Sequence, residues 1–259
     1  MEWKAEDLSA LAEAKELLES PGLAAKVADK AGASAEKLLA RLPGPGPELV
    51  DAAARSAVYK ALDAALRTMD ETAGKPARER LHRIGAGVAG AAGGLFGLPG
   101  LVAELPVSTV IMLRSIADVA REMGEDLSTV EARMACIQVF ALGGRPEGLA
   151  VETGYFATRA ALAKTVSEAA RYLAGGGALT RGAPVLVRLV SGIAARYGAV
   201  VSEKLAAQSI PVAGCLGGAA VNWMFTDHFQ KTARGHFTIR RLERVYGRKD
   251  VRRRYEALA

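Results

Sequence analysis

The sequence predicts an all-α fold, a single multi-helix, bundle-like domain with two glycine-rich apolar helical segments in its core. Three observations predict it. Half of the 259 residues are hydrophobic but only 5% are aromatic, and alanine and leucine, both strong helix formers, carry much of the apolar count. Alternating β-branched or aromatic runs of strand length are absent. Apolar residues instead recur at helical spacing between glycine and proline breaks. A chain of this length can bury a sizeable core.

The elements follow in order. Leu8, Leu11, Ala12, Lys15 and Leu18 give residues 5–19 helical spacing, and Pro21 suits the start of a second helix. These amino-terminal helices, residues 1–42, precede the run Pro43-Gly44-Pro45-Gly46-Pro47, which reads as a linker. The main helical domain is expected over 48–259, packed with the amino-terminal helices as one unit. Glu48 to Met69 is amphipathic through Val50, Ala54, Ala57, Val58, Ala61, Leu62 and Ala65. After the break at Gly74-Lys75-Pro76, a helix is expected from about Pro106 to Gly124. Ser128 and Glu131 have capping-box spacing ahead of a helix carrying Cys136 and Phe140. Further helices are expected at about Val151–Leu173, Pro184–Tyr197 and after Pro211.

Two stretches lack charge altogether. Ile84 to Ala103 is twenty residues long with seven glycines, and Leu205 to Thr226 contains Gly214, Gly217 and Gly218. Twenty uncharged residues meet the length of a membrane span, but glycine-rich, leucine-poor composition argues against insertion. A packed hairpin held by small-xxx-small pairs is one alternative. The other is a cleft in which such helices hold an aliphatic guest.

Polar residues set in these surroundings are the candidate site. Glu104 is the single charge between Arg83 and Arg114, so burial would require a cation such as Arg114 beside it or a neutral carboxyl with a raised pKa. Arg114, Asp118, Arg121 and Glu125 form a stripe of alternating sign that reads as a solvated face. Asn222, Thr226 and Gln230 share a helix face, with Asp227, His228, Arg234 and His236 just beyond. Asn222 and Arg234 would donate to a headgroup, with His236 as a titrating neighbour.

The net charge of +6 is local, because the segment from Arg234 to Ala259, with nine basic and three acidic residues, accounts for all of it. Arg240, Arg241 and Arg244 are its candidate anion-binding surface. They share a helix with Ile239, Leu242, Val245 and Tyr246, which need burial, so nucleic acid is not the expected partner. Met1 to Lys15 lacks the apolar region of a signal peptide. Cys136 and Cys215 lie in apolar stretches and read as buried free thiols of a reducing, cytoplasmic compartment.

No nucleophile elbow, phosphate-binding loop or His-Glu-x-x-His motif occurs. Gly85 to Gly90 matches a dinucleotide fingerprint in spacing, but follows a charged helical stretch where a strand is required. An Asp227/His228/His236 metal site has poor ligand spacing.

Several motifs together resemble the bacterial EcsC family: Gly97-Leu98-Pro99-Gly100, Glu104-Leu105-Pro106, Leu113-Arg114-Ser115-Ile116-Ala117, Val139-Phe140-Ala141-Leu142, Asp227-His228-Phe229, Ala233-Arg234-Gly235-His236-Phe237 and Arg241-Leu242-Glu243-Arg244. The family is named from an operon encoding an ABC transporter, so the resemblance implies an association with membrane transport or secretion. It marks Glu104, Arg114, Asn222, Asp227, His228, Arg234 and His236.

The expected function is lipid handling without a catalytic cofactor. A fatty acid or phospholipid would lie along Phe96, Leu98, Leu101, Met112 and Met224. Its polar end would face Glu104, Arg114, Asn222, Arg234 and His236. The cytoplasmic membrane face or a transporter is the expected partner, and the oligomeric state stays open. The alternatives are a metal-dependent or lipid hydrolase using Glu104, Asp227 and His236, and a structural partner of a transporter.

Overall fold

The computed structural model describes residues 2–20, 46–69, 97–144, 154–208 and 218–258, with side chains assigned at 48–69, 104–144, 154–204 and 220–258 within the last four stretches. Among the described residues there are eight helices and no strand. They are α1 (Ala5–Glu19), α2 (Gly46–Thr68), α3 (Gly97–Glu122), α4 (Val130–Leu142), α5 (Tyr155–Ala174), α6 (Pro184–Gln208), α7 (Gly218–Tyr246) and α8 (Arg248–Ala257).

The alanine stripe of α2 (Ala53, Ala54, Ala57, Ala61 and Ala65) is buried, and small side chains let α2 pack closely on both α3 and α6. Helix α4 is mostly apolar and buried from Ala132 to Ala141, as expected of a central helix. Phe140, Tyr197, Phe225 and Phe229 from α4, α6 and α7 meet in tilted and edge-to-face contacts at the centre of this core. Arg133 is buried on α4 and donates to the carbonyls of Leu127, Ser128 and Leu66, tying the loop before α4 to the end of α2.

A second, smaller core joins α1, α8 and the carboxyl-terminal half of α7 through Leu11, Ile239, Leu242, Val251 and Tyr255. Helix α1 crosses α7 at Gly235, where an added Cβ would lie 2.7 Å from Leu18 Cγ. Only a residue without a side chain fits that crossing.

Several boundaries differ from the sequence expectation. Helix α3 begins nine residues before Pro106 and carries that proline in its interior. The proline supplies no amide to the carbonyl four residues before it, and the Leu105 carbonyl beside it accepts from Ser108 Oγ and Thr109 Oγ1. The cap of α4 falls on Thr129, whose side chain accepts from the Ala132 amide, while the Ser128 amide bonds the Asp126 carboxylate. Helix α6 runs to Gln208, well beyond Tyr197, because Val200 and Val201 continue its buried face. Helix α5 starts at Tyr155, and α2 begins inside the proline–glycine run, at Gly46.

The Arg114–Glu125 stripe is not a uniformly solvated face. Asp118 is buried against Arg121 at 2.6 Å, and Glu125 is buried beneath arginines of α7, while Arg114 alone of the four is exposed. The second helix expected from Pro21, and the apolar stretches at 84–96 and 209–217, lie outside the described residues.

Candidate functional site

The two uncharged stretches are bounded by charges, and those charges belong together. Glu104 closes the first stretch and Lys204 precedes the second. Lys204 Nζ donates to both carboxylate oxygens of Glu104, at 3.1 and 3.3 Å. Glu104 is 8% exposed and Lys204 0%. Helices α3 and α6 run antiparallel here, because Thr109, one turn further along α3, meets Tyr197, two turns back along α6. The Tyr197 hydroxyl donates to Thr109 Oγ1 at 2.7 Å, and Thr109 donates to the Leu105 carbonyl at 2.6 Å.

Burial pushes the Lys204 ammonium below its ordinary pKa, with the charge and hydrogen bonds of Glu104 opposing that shift. Its Nζ also lies 4.8 Å from the centre of the Phe225 ring on α7. Tyr197 is raised above its ordinary value by burial. The expected partner of Glu104 was Arg114; the structure puts Lys204 there instead. Arg114 is ten residues along α3, about 15 Å at 1.5 Å per residue, and its guanidinium reaches Thr68 Oγ1 at 3.4 Å.

Of the remaining predicted site residues, Arg234 and His236 lie away from this pair. Met112, Asn222 and Met224 are buried. Arg234 pairs with Glu122 at 3.2 Å. Of the acyl-contact residues, Phe96 lies outside the described residues, and Leu98 and Leu101 lie on the backbone of α3. His236 is fourteen residues beyond Asn222 on α7, about 21 Å along the axis.

His236 belongs to a second buried polar group. Its Nδ1 accepts from the Tyr155 hydroxyl at 2.8 Å, and Tyr155 in turn accepts from Arg159, which makes a two-pronged pair with Glu243 at 2.9 Å on each side. Arg159 can only donate, so the Tyr155 hydroxyl proton has His236 Nδ1 as its acceptor, and the imidazole then carries its own proton on Nε2. That nitrogen is buried and meets no hydrogen-bond partner among the described residues. Burial first, then the charges of Arg159 and Arg240, hold His236 well below its ordinary value of 6.5.

The sign of the resulting pH dependence is determined. Below pH 6.5 the unfolded chain takes up a proton that the folded chain refuses, so stability falls as pH falls. The wild type is expected to lose stability relative to His236→Gln by up to about 1.4 kcal/mol per pH unit below 6.5. Urea unfolding of both proteins at pH 7.0, 6.0 and 5.5 measures it. Parallel stability curves would show that His236 does not titrate in this way.

Asp227 pairs with Lys231 at 2.9 Å, and His228 Nε2 donates to the Gly143 carbonyl at 2.7 Å. Asp227 and His236 are nine residues apart, which turns them to opposite faces of α7. They therefore cannot form the hydrolytic or metal-binding group that their sequence proximity suggested. Among the described residues no three His, Cys, Asp or Glu side chains gather around a common point. Cys136 is a buried free thiol, its pKa raised by burial, and Cys215 lies outside the described residues.

The arginines of the proposed anion surface are engaged within the fold. Arg240 pairs with Glu125 at 2.8 Å, Arg244 also pairs with Glu125, and Arg241 pairs with Asp7 at 3.1 Å. Sequence reading missed Lys204, Tyr155, Arg159 and Glu243. Lys204 had a readable signal, since it and Glu104 are opposite charges placed at the inner edges of the two uncharged stretches.

A protein-family model described as the EcsC protein family matches residues 22–242. The chain belongs to the EcsC protein family. Neither a curated protein nor a solved structure matches it. The match spans both halves of the buried ion pair, and it takes in Tyr155, Arg159 and His236 together with Arg240 and Arg241. In this EcsC chain the motif positions Glu104 and His236 therefore lie in two separate buried polar groups.

Proposed function

We propose that this EcsC-family chain handles lipid at the cytoplasmic face of a membrane, contacting acyl chains through its two uncharged stretches. The observation that supports this reading most is the Glu104–Lys204 pair. Two stretches of twenty or more uncharged residues start from one buried point, and the charges that bound them neutralise each other there. Apolar stretches bounded in this way would meet lipid without bringing an unpaired charge from either end of the pair.

Two exposed apolar side chains flank the same region. Val107, one turn beyond Glu104, is 55% exposed, and Trp223, two residues before Phe225, is 43% exposed. A half-exposed tryptophan beside an apolar segment suits the boundary between water and acyl chains. Helix α6 is long and apolar enough to cross a membrane over Pro184–Lys204, but half of that window is buried in the bundle. That pattern suits a core helix, and the proposal is for contact at the surface. A role beside a membrane transporter is compatible with it.

Tryptophan fluorescence tests the proposal, because the chain has only Trp3 and Trp223. Trp3 stacks on Tyr246 and donates to Asp250 at 2.6 Å, on the second core. In a Trp3→Phe protein, vesicles of brominated phosphatidylglycerol are expected to quench the Trp223 emission. In Trp223→Phe the emission of Trp3 is expected to stay unchanged. Equal quenching of both, or of neither, would remove the reading. Organic extraction of protein purified without detergent, followed by mass spectrometry, would identify any lipid that travels with it.

A further inference from the structure

A groove of about 260 Å³ opens between α2 and α6, away from the Glu104–Lys204 pair. Its floor is apolar, formed by Ala52 of α2 and Leu186, Val187 and Val190 of α6. Val187 is 44% exposed and lines the groove. Lys204 is seventeen residues beyond Val187 on α6, about 25 Å along the axis.

The charges at the groove's mouth decide what fits. Arg55 lines it, but its Nε is held by Asp51 at 2.7 Å, and another guanidinium nitrogen donates to Ser191 Oγ at 2.5 Å. That arginine is already compensated. Arg181 is different. Its guanidinium sits over the Tyr59 ring at 4.9 Å, and it makes no ion pair among the described residues. Tyr59 is itself held, its hydroxyl donating to the Leu179 carbonyl at 3.1 Å. A guanidinium resting on an aromatic face keeps the N–H groups at its edge available for a carboxylate. The first turn of α6 contains no acidic residue, so the positive end of that helix adds to the same potential.

The groove thus offers one uncompensated positive charge beside an apolar floor. Its volume is slightly below the ~300 Å³ at which pockets for drug-sized ligands begin. That suits a single short aliphatic chain, or one segment of a longer one, and is too small for a peptide helix about 10 Å wide.

We propose that this groove binds a monoanionic single-chain amphiphile of the fatty-carboxylate type, its carboxylate on Arg181 and its chain along Leu186, Val187 and Val190. The ligand class rests on the lipid-handling reading, but the residues are a different set from those at the Glu104–Lys204 pair.

Isothermal titration of the full chain with dodecanoate, dodecanol and acetate tests it. Dodecanoate is expected to bind saturably at one site, while acetate, which has the charge without the chain, does not bind. Dodecanol, and dodecanoate with Arg181→Gln, are expected to bind at least roughly tenfold more weakly, the value of one charge-assisted hydrogen bond. Val187→Asp is expected to abolish binding, and both substitutions are at exposed positions that leave the core intact. Dodecanol binding as tightly as dodecanoate would overturn the proposal. So would unchanged affinity in Arg181→Gln or Val187→Asp, or an acidic peptide binding where dodecanoate does not. Trp223 quenching by vesicles does not involve Arg181. Its survival alongside failed dodecanoate binding would refute the groove alone, and the reverse result would refute the membrane contact alone.

Discussion

Glu104→Ala is expected to lower the unfolding free energy by roughly 3–5 kcal/mol, the usual cost of leaving one member of a buried ion pair without its partner. Lys204 is fully buried, and Glu104 is its ion-pair partner. Once the carboxylate is gone, the ammonium must either stay charged in the core or release its proton. The pH dependence of the variant separates this cause from a simple cavity. Burial already depresses Lys204 below its ordinary value of 10.5, and losing Glu104 depresses it further. Between the lowered folded value and 10.5 the unfolded chain holds the proton that the folded chain has released, so stability rises with pH through that window. The deficit of Glu104→Ala should therefore shrink as pH is raised from 7 towards 10. A cavity would give a deficit independent of pH. Replacing both partners, as Glu104→Leu with Lys204→Met, is expected to recover most of the loss, since apolar replacement of a buried pair is often neutral or stabilising. Urea unfolding of the three variants provides the measurement.

Glu125→Ala is expected to destabilise the protein by about 2–4 kcal/mol, less than the first because the arginines it releases are partly solvated. Burial alone would raise the Glu125 carboxyl, but the hydrogen bonds and charges of Arg240 and then Arg244 hold it below its ordinary value of 4.5. A lowered carboxyl pKa contributes stability that is complete above 4.5 and lost as pH falls through the folded value. The gap between wild type and variant should therefore close in acid. The same substitution bears on the carboxyl-terminal charge. With Glu125 in place, Arg240 and Arg244 share its one carboxylate. Without it they are available to an anionic surface, where each is worth about 1 kcal/mol near the membrane at low salt. Glu125→Ala is expected to bind phosphatidylglycerol vesicles more tightly than the wild type, with the gain disappearing at high salt. Unchanged flotation with vesicles would show that these arginines do not reach a membrane.

The helices were largely legible because their signals are local. The spacing of Leu8, Leu11 and Leu18 marked α1, the alanine stripe marked α2, and Gly175-Gly176-Gly177 closed α5. Where boundaries shifted, a long-range contact outweighed a local rule. Pro106 reads as a helix start, yet α3 extends through it, with Glu104 and Leu105 ahead of the proline and Ser108 and Thr109 after it buried in the bundle. Glu104 was legible as a charge that needed a cation if buried, but choosing between Arg114 and Lys204 required knowing which helix faces α3. His236 was visible as a polar residue beside an apolar segment. Its partner Tyr155 is 81 residues away in sequence, and no spacing rule reaches that far.

By itself the sequence determined the helical class and the family. It also determined the two uncharged stretches and the confinement of the net charge to the last 26 residues. These are properties of composition and of periodicity within a few helical turns. Only the tertiary structure decided how the charges pair. It joined Glu104 to Lys204, enclosed His236 with Tyr155, set Glu125 beneath two arginines and left Arg181 over a tyrosine ring with no carboxylate partner among the described residues. The physical reason is that helix periodicity gives each side chain a face but does not say which helix that face will meet. In a low-dielectric interior the partner met there determines whether a charge is neutralised or left for a ligand.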